Sequence, residues 1–160
     1  MTPQTCILIG APVDSGKRRA GCLMGPDALR TAGLVSALDS LGHQVKDLGN
    51  LAPAPYDPDT SDGPLFAPNE TIGWTKKLID TAEQAMATGL PIFLGGDHSL
   101  SIGSVAGVAN YAARQGRPQF VLWLDAHTDF HTLLTTDSGN LHGTPVGYFT
   151  GRADFSGFPP

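Results

Sequence analysis

The stretch TCILIGAP (residues 5–12) is a continuous apolar run closed by glycine and proline. Such a run is typical of a strand that is buried on both faces, as strands are in a parallel sheet. Two later runs have the same character, PIFLGGD (residues 91–97) and FVLWLDA (residues 120–126), and QVKDLG (residues 44–49) predicts a short strand. The sequence therefore predicts four strands.

Helices are predicted between these strands. One is expected to begin at Pro26 and to continue as a single element to Gly42, because proline suits the first turn and glycine the residue after the last. A second is predicted over residues 70–88 with Asn69 as its N-cap, and a third over residues 99–116. Each predicted helix thus lies between two consecutive predicted strands.

This alternation predicts an α/β fold, a three-layer sandwich with a doubly wound, mostly parallel sheet. The proline-rich stretch of residues 51–68 is predicted to be a loop within the same domain. In such sheets, ligands bind just beyond the carboxyl ends of the strands. Residues that follow the strands at 91–97 and 120–126 are therefore candidate site residues.

The composition is ordinary for a soluble globular protein, with 41% hydrophobic and 16% charged residues among 160. A net charge of -5 gives no reason to expect a nucleic acid or an acidic membrane as a partner. No apolar run reaches the roughly 18 residues of a membrane-spanning helix. Because Cys6 and Cys22 match no zinc or redox spacing, a cytoplasmic protein without disulfides is expected.

Potential metal ligands are concentrated in LDAHTDFH (residues 124–131), at the end of the last predicted strand. If the backbone stays extended there, Asp125, His127 and Asp129 share one face of the chain. Carboxylates with an imidazole suit Mn²⁺, although they do not exclude Zn²⁺ or Co²⁺. The alternative is a polar loop with capping aspartates, and the strand-end position favours the metal site.

Two other segments hold candidate residues. GGDHS (residues 95–99) contains His98, and Asp97 beside it could orient an imidazole or cap the next helix. TTDSGNLHG (residues 135–143) is rich in hydroxyls and amides, which could bind a zwitterionic ligand or form a self-contained turn. His142 has the side chain suited to acid–base chemistry near neutral pH.

One glycine-containing loop is excluded as a phosphate site. In GAPVDSGKRR (residues 10–19), the glycines are one residue too far apart for the phosphate-binding pattern, and Arg18 stands where serine or threonine is needed. This segment is instead predicted to be a loop at the end of the first strand, close to the site.

GGDHS, DAHTD and SGNLHGTP, in this order and at this spacing, resemble the motifs of the ureohydrolase superfamily, and those of arginase in particular. The first two are shared with agmatinases and formimidoylglutamases, whereas SGNLHG is the arginase-like variant. The opening GAPVDSGKRRAGCLMGPDALRTAGL (residues 10–34) also resembles the arginase opening. The resemblance therefore covers essentially the whole chain.

The resemblance implies that L-arginine is hydrolysed to L-ornithine and urea at a site for two Mn²⁺ ions. His98, Asp125 and Asp129 would bind the first ion. Asp125, as a bridge, would bind the second ion together with His127. The metals would lower the pKa of a bridging water, and the resulting hydroxide would attack the guanidinium carbon.

The same resemblance implies roles for the residues around the metals. His142 corresponds to a proton-shuttling histidine, and Ser138 and Asn140 correspond to groups that bind the α-carboxylate of the substrate. His131 stands where arginases usually have an asparagine, and its imidazole could contact the substrate carboxylate. Members of this family usually assemble as homotrimers or hexamers, so a homo-oligomer is the expected assembly.

The resemblance also implies an Asp-x-Asp segment and a glutamate that do not occur after Thr150. It implies the strand order 2-1-3-8-7-4-5-6, in which strands not found here separate the third from the fourth. Residues 1–160 are therefore expected to be the N-terminal part of a single arginase-like domain, inactive alone, with exposed apolar strand edges. Two alternatives stay open: a non-catalytic fragment that binds metal weakly, and another ureohydrolase acting on agmatine or guanidinobutyrate.

Overall fold

The computed structural model describes residues 2–60 and 63–160. The strands are β1 (Thr5–Ala11), β2 (Gln44–Asn50) and β3 (Leu90–Gly95), and the α-helices are α1 (Gly25–Thr31), α2 (Leu34–Ser40), α3 (Pro68–Met86), α4 (Leu100–Arg114) and α5 (Pro145–Phe149), with a 3-10 turn at Leu141–Gly143. The predicted loop before α3 is confirmed where it is described, and Ser61 and Asp62 lie outside the described residues. Within the described ranges, no helix has both the length and the apolar character needed to cross a bilayer.

The three strands form a parallel sheet in the order β2-β1-β3. β1 lies in the centre, which explains its apolar sequence: Ile7, Leu8 and Ile9 are no more than 2% exposed. The chain passes from β1 to one neighbour and then to the other, so right-handed crossovers put the connecting helices on opposite faces. The predicted α/β fold with a parallel, doubly wound sheet is confirmed.

Helix α3 supplies much of the core, because Trp74 and Leu78 pack against Ala11 and Val13 at the end of β1. The prediction that Asn69 is its N-cap is wrong, since the helix begins at Pro68. The Asp59 carboxylate, from the preceding loop, instead accepts hydrogen bonds from the N–H of Asn69 at 2.7 Å and of Glu70 at 3.2 Å. A carboxylate from the preceding loop, and not the predicted N-cap residue, thus accepts hydrogen bonds from the free N–H groups of the first helical turn.

The helix predicted to run from Pro26 to Gly42 is two helices, α1 and α2. Gly33 separates them with a φ of 91°, a left-handed value that a helix cannot continue through. The apolar stripe of this segment continues across Gly33, so the sequence pattern does not indicate the interruption of the helix. Gly42, with a φ of 84°, follows the end of α2 as predicted.

The prediction of a fourth strand over residues 120–126 is wrong. This segment forms no ladder with another strand, and within the described residues β3 pairs with β1 alone. Phe120 and Leu124 are 86% exposed and Leu122 is 82% exposed. An apolar run predicts burial, but a strand also requires backbone hydrogen bonds to a neighbouring strand, and this segment forms no ladder with any strand of the described residues. The expected exposure of apolar groups at this edge of the sheet is present.

Candidate metal centre

Buried hydrogen bonds join the segments that follow β1 and β3, next to the candidate site. Asp97 is 3% exposed, and its carboxylate accepts from the N–H of Gly16 and from the N–H of Ser99, both at 2.8 Å. A Cβ at Gly16 would overlap the side chains of Asp97 and Ser99, so this close approach requires glycine. Neither role considered for Asp97 describes these contacts: its carboxylate binds two backbone N–H groups and no imidazole, and α4, whose N-cap is Ser99, has no side-chain cap hydrogen bond.

Three predicted metal ligands converge beyond these strand ends. His98 Nε2 lies 3.2 Å from Asp129 Oδ2 and 3.7 Å from Asp125 Oδ2. One ligand atom from each of the three residues falls within 4.8 Å of the others. His98 Nε2 is buried, and no hydrogen-bond partner for it occurs among the described residues. A buried nitrogen without a partner is costly, and a metal ion would satisfy it.

The two aspartates do not reach this cluster through an extended strand. Asp125 Oδ1 accepts a hydrogen bond from the N–H of His127 at 2.8 Å, which closes a bend. Asp129 adopts a left-handed φ of 46°, and its carbonyl accepts from the N–H of Val146 at 3.0 Å. The predicted convergence of these aspartates is thus present, but the turn produces it and not the alternation of a strand.

The surroundings of Asp125 favour an ionised carboxylate. The N–H of His127 donates to Asp125 and, with His98 nearby, holds the pKa of that carboxyl below its usual value. Trp123 Nε1 donates to Asp129 Oδ2 at 3.3 Å, and its ring packs edge-on against His98 with the centroids 5.0 Å apart. Sequence reasoning did not single out Trp123, although it lies two residues before Asp125.

His127 lies at the margin of the cluster. Its Nδ1 is 3.4 Å from Asp125 Oδ1, and its side chain is 82% exposed. It is not one of the three residues whose ligand atoms come together. One imidazole and two carboxylates fit a divalent cation that prefers nitrogen and oxygen ligands, and His127 could contribute from the side of Asp125.

The other predicted site residues line the same cavity of about 510 Å³. Its wall includes His131, Ser138, Asn140 and His142, together with the three converging ligands and His127. The wall also includes Thr128, Thr136, Asp137 and Gly143, which were not proposed as site residues. Thr136 and Asp137 belong to the hydroxyl-rich stretch 135–143, so the composition of that stretch was a usable indication.

Side-chain and backbone contacts fix the wall formed by residues 136–142. Ser138 Oγ accepts from the N–H of Asn140 at 3.2 Å, and Asn140 Oδ1 accepts from the N–H of Arg18 at 3.0 Å. The N–H of His142 donates to the carbonyl of Gly16 at 2.9 Å. The loop after β1 therefore lies next to the cavity, as its position in the sequence predicted.

Comparisons with known proteins agree on one family. The family model described as "Arginase family" matches residues 4–154. An arginase of Agrobacterium fabrum is 55% identical over 160 residues, which are 98% of this chain and 49% of that protein. The chain spans about half the length of the curated relatives it matches.

Solved structures give the same result. An arginase from Bacillus subtilis aligns with a TM-score of 0.77 and 38% identity over 89% of this chain and 47% of that one. An Entamoeba histolytica arginase, solved in complex with L-ornithine, aligns with a TM-score of 0.71 and 26% identity over 92% of this chain and 49% of that one. The three-stranded sheet and its helices thus correspond to part of a known α/β fold.

Proposed function

This chain belongs to the arginase family, and on that premise we propose that it forms part of a metal-dependent amidinohydrolase that converts L-arginine to L-ornithine and urea. One observation carries the proposal: His98, Asp125 and Asp129 converge at a cavity that residues of the hydroxyl- and amide-rich segment 136–142 also line. The related Entamoeba histolytica arginase solved with L-ornithine supports an amino acid as the ligand.

The proposed metals are two Mn²⁺ ions. His98, Asp125 and Asp129 would hold one, and Asp125 with His127 would hold the other. Bound manganese would lower the pKa of a water molecule and so supply a nucleophile for the guanidinium carbon. The family pattern requires two more carboxylates than these four residues provide, so residues 1–160 are proposed to be the N-terminal part of a single domain.

The substrate would be oriented by the wall formed by residues 136–142. Ser138 Oγ and Asn140 Oδ1 each accept a hydrogen bond from backbone N–H. This leaves the Ser138 hydroxyl proton and the Asn140 NH₂ group free to donate to an α-carboxylate. His131 lies on the same wall, with Nδ1 3.4 Å from Thr135 Oγ1, and would contact the same carboxylate from the side.

His142 is the proposed proton carrier. Its imidazole lines the cavity, and its backbone is fixed by the hydrogen bond from its N–H to the Gly16 carbonyl. A histidine held at the cavity wall can deliver a proton to the nitrogen of ornithine as the bond to the guanidinium carbon breaks. The protonated amine is the better leaving group, so this step would favour product formation.

A second candidate function is weak metal binding without catalysis. The observation that favours it is the marginal position of His127, whose side chain is 82% exposed and outside the group of three converging ligands. With only three close protein ligands, a Mn²⁺ ion would keep several waters and bind less tightly. A third candidate is a ureohydrolase that acts on agmatine or guanidinobutyrate.

Two experiments separate these functions. Calorimetric titration of the 160-residue chain with Mn²⁺ should show binding that His98→Ala weakens at least about tenfold, equivalent to roughly 1.4 kcal/mol. His43→Ala is the matched control, because His43 contacts the Gln4 N–H and is not among the cavity residues. Unchanged affinity in His98→Ala would exclude the proposed ligand set.

The second experiment measures urea release by this chain fused to the second half of the Agrobacterium fabrum arginase. Hydrolysis of L-arginine that requires Mn²⁺ and is lost in His98→Ala is the expected result. Hydrolysis of agmatine or guanidinobutyrate but not L-arginine would overturn the proposed substrate. Rapid turnover by the 160 residues alone would exclude the non-catalytic alternative.

A further inference from the structure

Arg18 lies where three segments of the chain meet beside the cavity. Its Nη2 donates to the Pro64 carbonyl at 3.2 Å and its Nε to the Ser138 carbonyl at 3.5 Å. Its guanidinium carbon is 5.5 Å from the centre of the Phe66 ring, a cation–π distance. One side chain therefore connects the loop after β1 with the segment before α3 and with the loop 136–142.

Backbone contacts in the same place make this junction close-packed. The N–H of Phe66 donates to the Gly139 carbonyl at 2.9 Å, and Gly139 has a left-handed φ of 70°. A Cβ at Gly139 would overlap the Pro64 carbonyl oxygen. The loop 136–142 is thus pressed against the segment 64–66, and Arg18 donates to a carbonyl on each of them.

The neighbouring basic residues do not share this arrangement. Lys17 Nζ pairs with Asp14 Oδ1 at 3.3 Å, within its own loop. Arg18 alone of the run Lys17-Arg18-Arg19 has described side-chain contacts to both other segments. A guanidinium can donate to two carbonyls and stack on an aromatic ring at once, because it is planar with donors on three nitrogens, whereas an ammonium has its donors on one nitrogen and no planar face.

We propose that Arg18 is a positioning residue that holds the loop 136–142 in the conformation in which Ser138 and Asn140 receive the substrate. This inference rests on the proposed function for the identity of the ligand. Arg18 touches neither the metal ligands nor the reacting atoms, so it acts through the loop. Removal of the Arg18 side chain lowers the fraction of molecules that have the loop in the binding conformation. The apparent affinity for the amino acid falls in proportion to this fraction.

The test compares Arg18→Ala, Arg18→Lys and the control Arg117→Ala in the intact chain. Arg117 is exposed and absent from the cavity wall. Amide hydrogen exchange is measured with and without Mn²⁺ and L-ornithine, and Mn²⁺ and L-ornithine affinities are measured by calorimetry. The amides of Phe66 and His142 report on the loop, because each donates a hydrogen bond between segments.

In Arg18→Ala, the amide exchange rates of Phe66 and His142 should rise about five- to tenfold. An increase of this size corresponds to the loss of one or two modest hydrogen bonds. Exchange in α3 and α4 and the Mn²⁺ affinity should stay within about twofold of the parent chain. L-Ornithine affinity should fall about fivefold in Arg18→Ala and less in Arg18→Lys. Arg117→Ala should change none of these quantities.

Two results would overturn the positioning role. One is unchanged exchange at Phe66 and His142 in Arg18→Ala. The other is an increase that spreads through α3 and α4, or an Mn²⁺ affinity that falls as much as in His98→Ala, since either indicates a general loss of structure. If neither the parent chain nor its fusion with the second half of the Agrobacterium fabrum arginase binds L-ornithine, the proposed function fails, and the exchange result still decides the role of Arg18.

Discussion

His98 Nε2 lies 3.2 Å from Asp129 Oδ2, although no sheet hydrogen bond connects the segments that carry these residues. His98 follows β3 on a turn fixed by the buried Asp97 carboxylate. Asp129 sits on an irregular segment whose carbonyl accepts from the N–H of Val146, at the beginning of α5. Turn and helix-end contacts, and not a strand ladder, therefore bring the two candidate ligands together.

Trp123→Phe should weaken Mn²⁺ binding moderately. The indole N–H donates to Asp129 Oδ2 at 3.3 Å, and the substitution removes this donor while it keeps an aromatic ring beside His98. Because one long hydrogen bond is lost, a decrease of about three- to tenfold in affinity is expected. Calorimetric titration measures it, with Phe149→Leu as a control for lost ring packing on Trp123. Equal losses in both variants would assign the effect to packing.

Gly16→Ala should destabilise the protein by about 1–3 kcal/mol, as overpacking at a buried position does. The added Cβ would overlap the Asp97 and Ser99 side chains and disturb the hydrogen bond from the Gly16 N–H. Urea unfolding followed by circular dichroism gives the change. Gly63→Ala is the matched control, because a Cβ there meets nothing within 4 Å. A Gly16→Ala midpoint equal to that of Gly63→Ala would contradict the close approach.

Leu122→Lys should reduce self-association without lowering stability. Leu122 is 82% exposed in an apolar segment next to the unpaired edge of β3, and such surfaces promote edge-to-edge aggregation. Light scattering as a function of concentration should decrease, while the unfolding free energy changes by no more than about 0.5 kcal/mol. Leu134→Lys, at a residue 78% exposed elsewhere, is the control. Equal decreases in the two variants would indicate a general charge effect.

Asp47 should contribute stability that disappears in acid. Arg30 donates to its carboxylate at 2.7 and 2.8 Å and holds the pKa of Asp47 below its ordinary value of 3.8. A lowered folded-state pKa means that the contribution is complete above the ordinary value and is lost as pH falls through the folded pKa. Asp47→Asn should therefore destabilise the protein at neutral pH and less at about pH 3, below the ordinary pKa of the carboxyl.

Urea midpoints at the two pH values measure this difference. Asp39→Asn is the control, because Asp39 is exposed on α2 and has no salt bridge among the described residues. A pH-independent difference between Asp47→Asn and the parent chain would show that the Arg30 pair does not stabilise the fold.

The sequence by itself predicted the buried first strand and the candidate metal ligands. The apolar run at residues 5–12 predicts a strand buried on both faces, and β1 is the buried middle strand of the parallel sheet. The motifs GGDHS and DAHTD, through their resemblance to the arginase pattern, predicted His98, Asp125 and Asp129 as neighbours. The strand-end argument for Asp125 and Asp129 fails, because residues 120–126 form no strand.

Tertiary structure alone decided the rest. Residues 120–126 are as apolar as β1 but form no strand, because a ladder needs a partner that local sequence does not specify. Asp59, in the loop before α3, accepts hydrogen bonds from the first turn of that helix, and Arg18 contacts Pro64 and Ser138 in two other segments. Such contacts depend on which surfaces the folded chain brings together, and a pattern read along one segment does not contain that information.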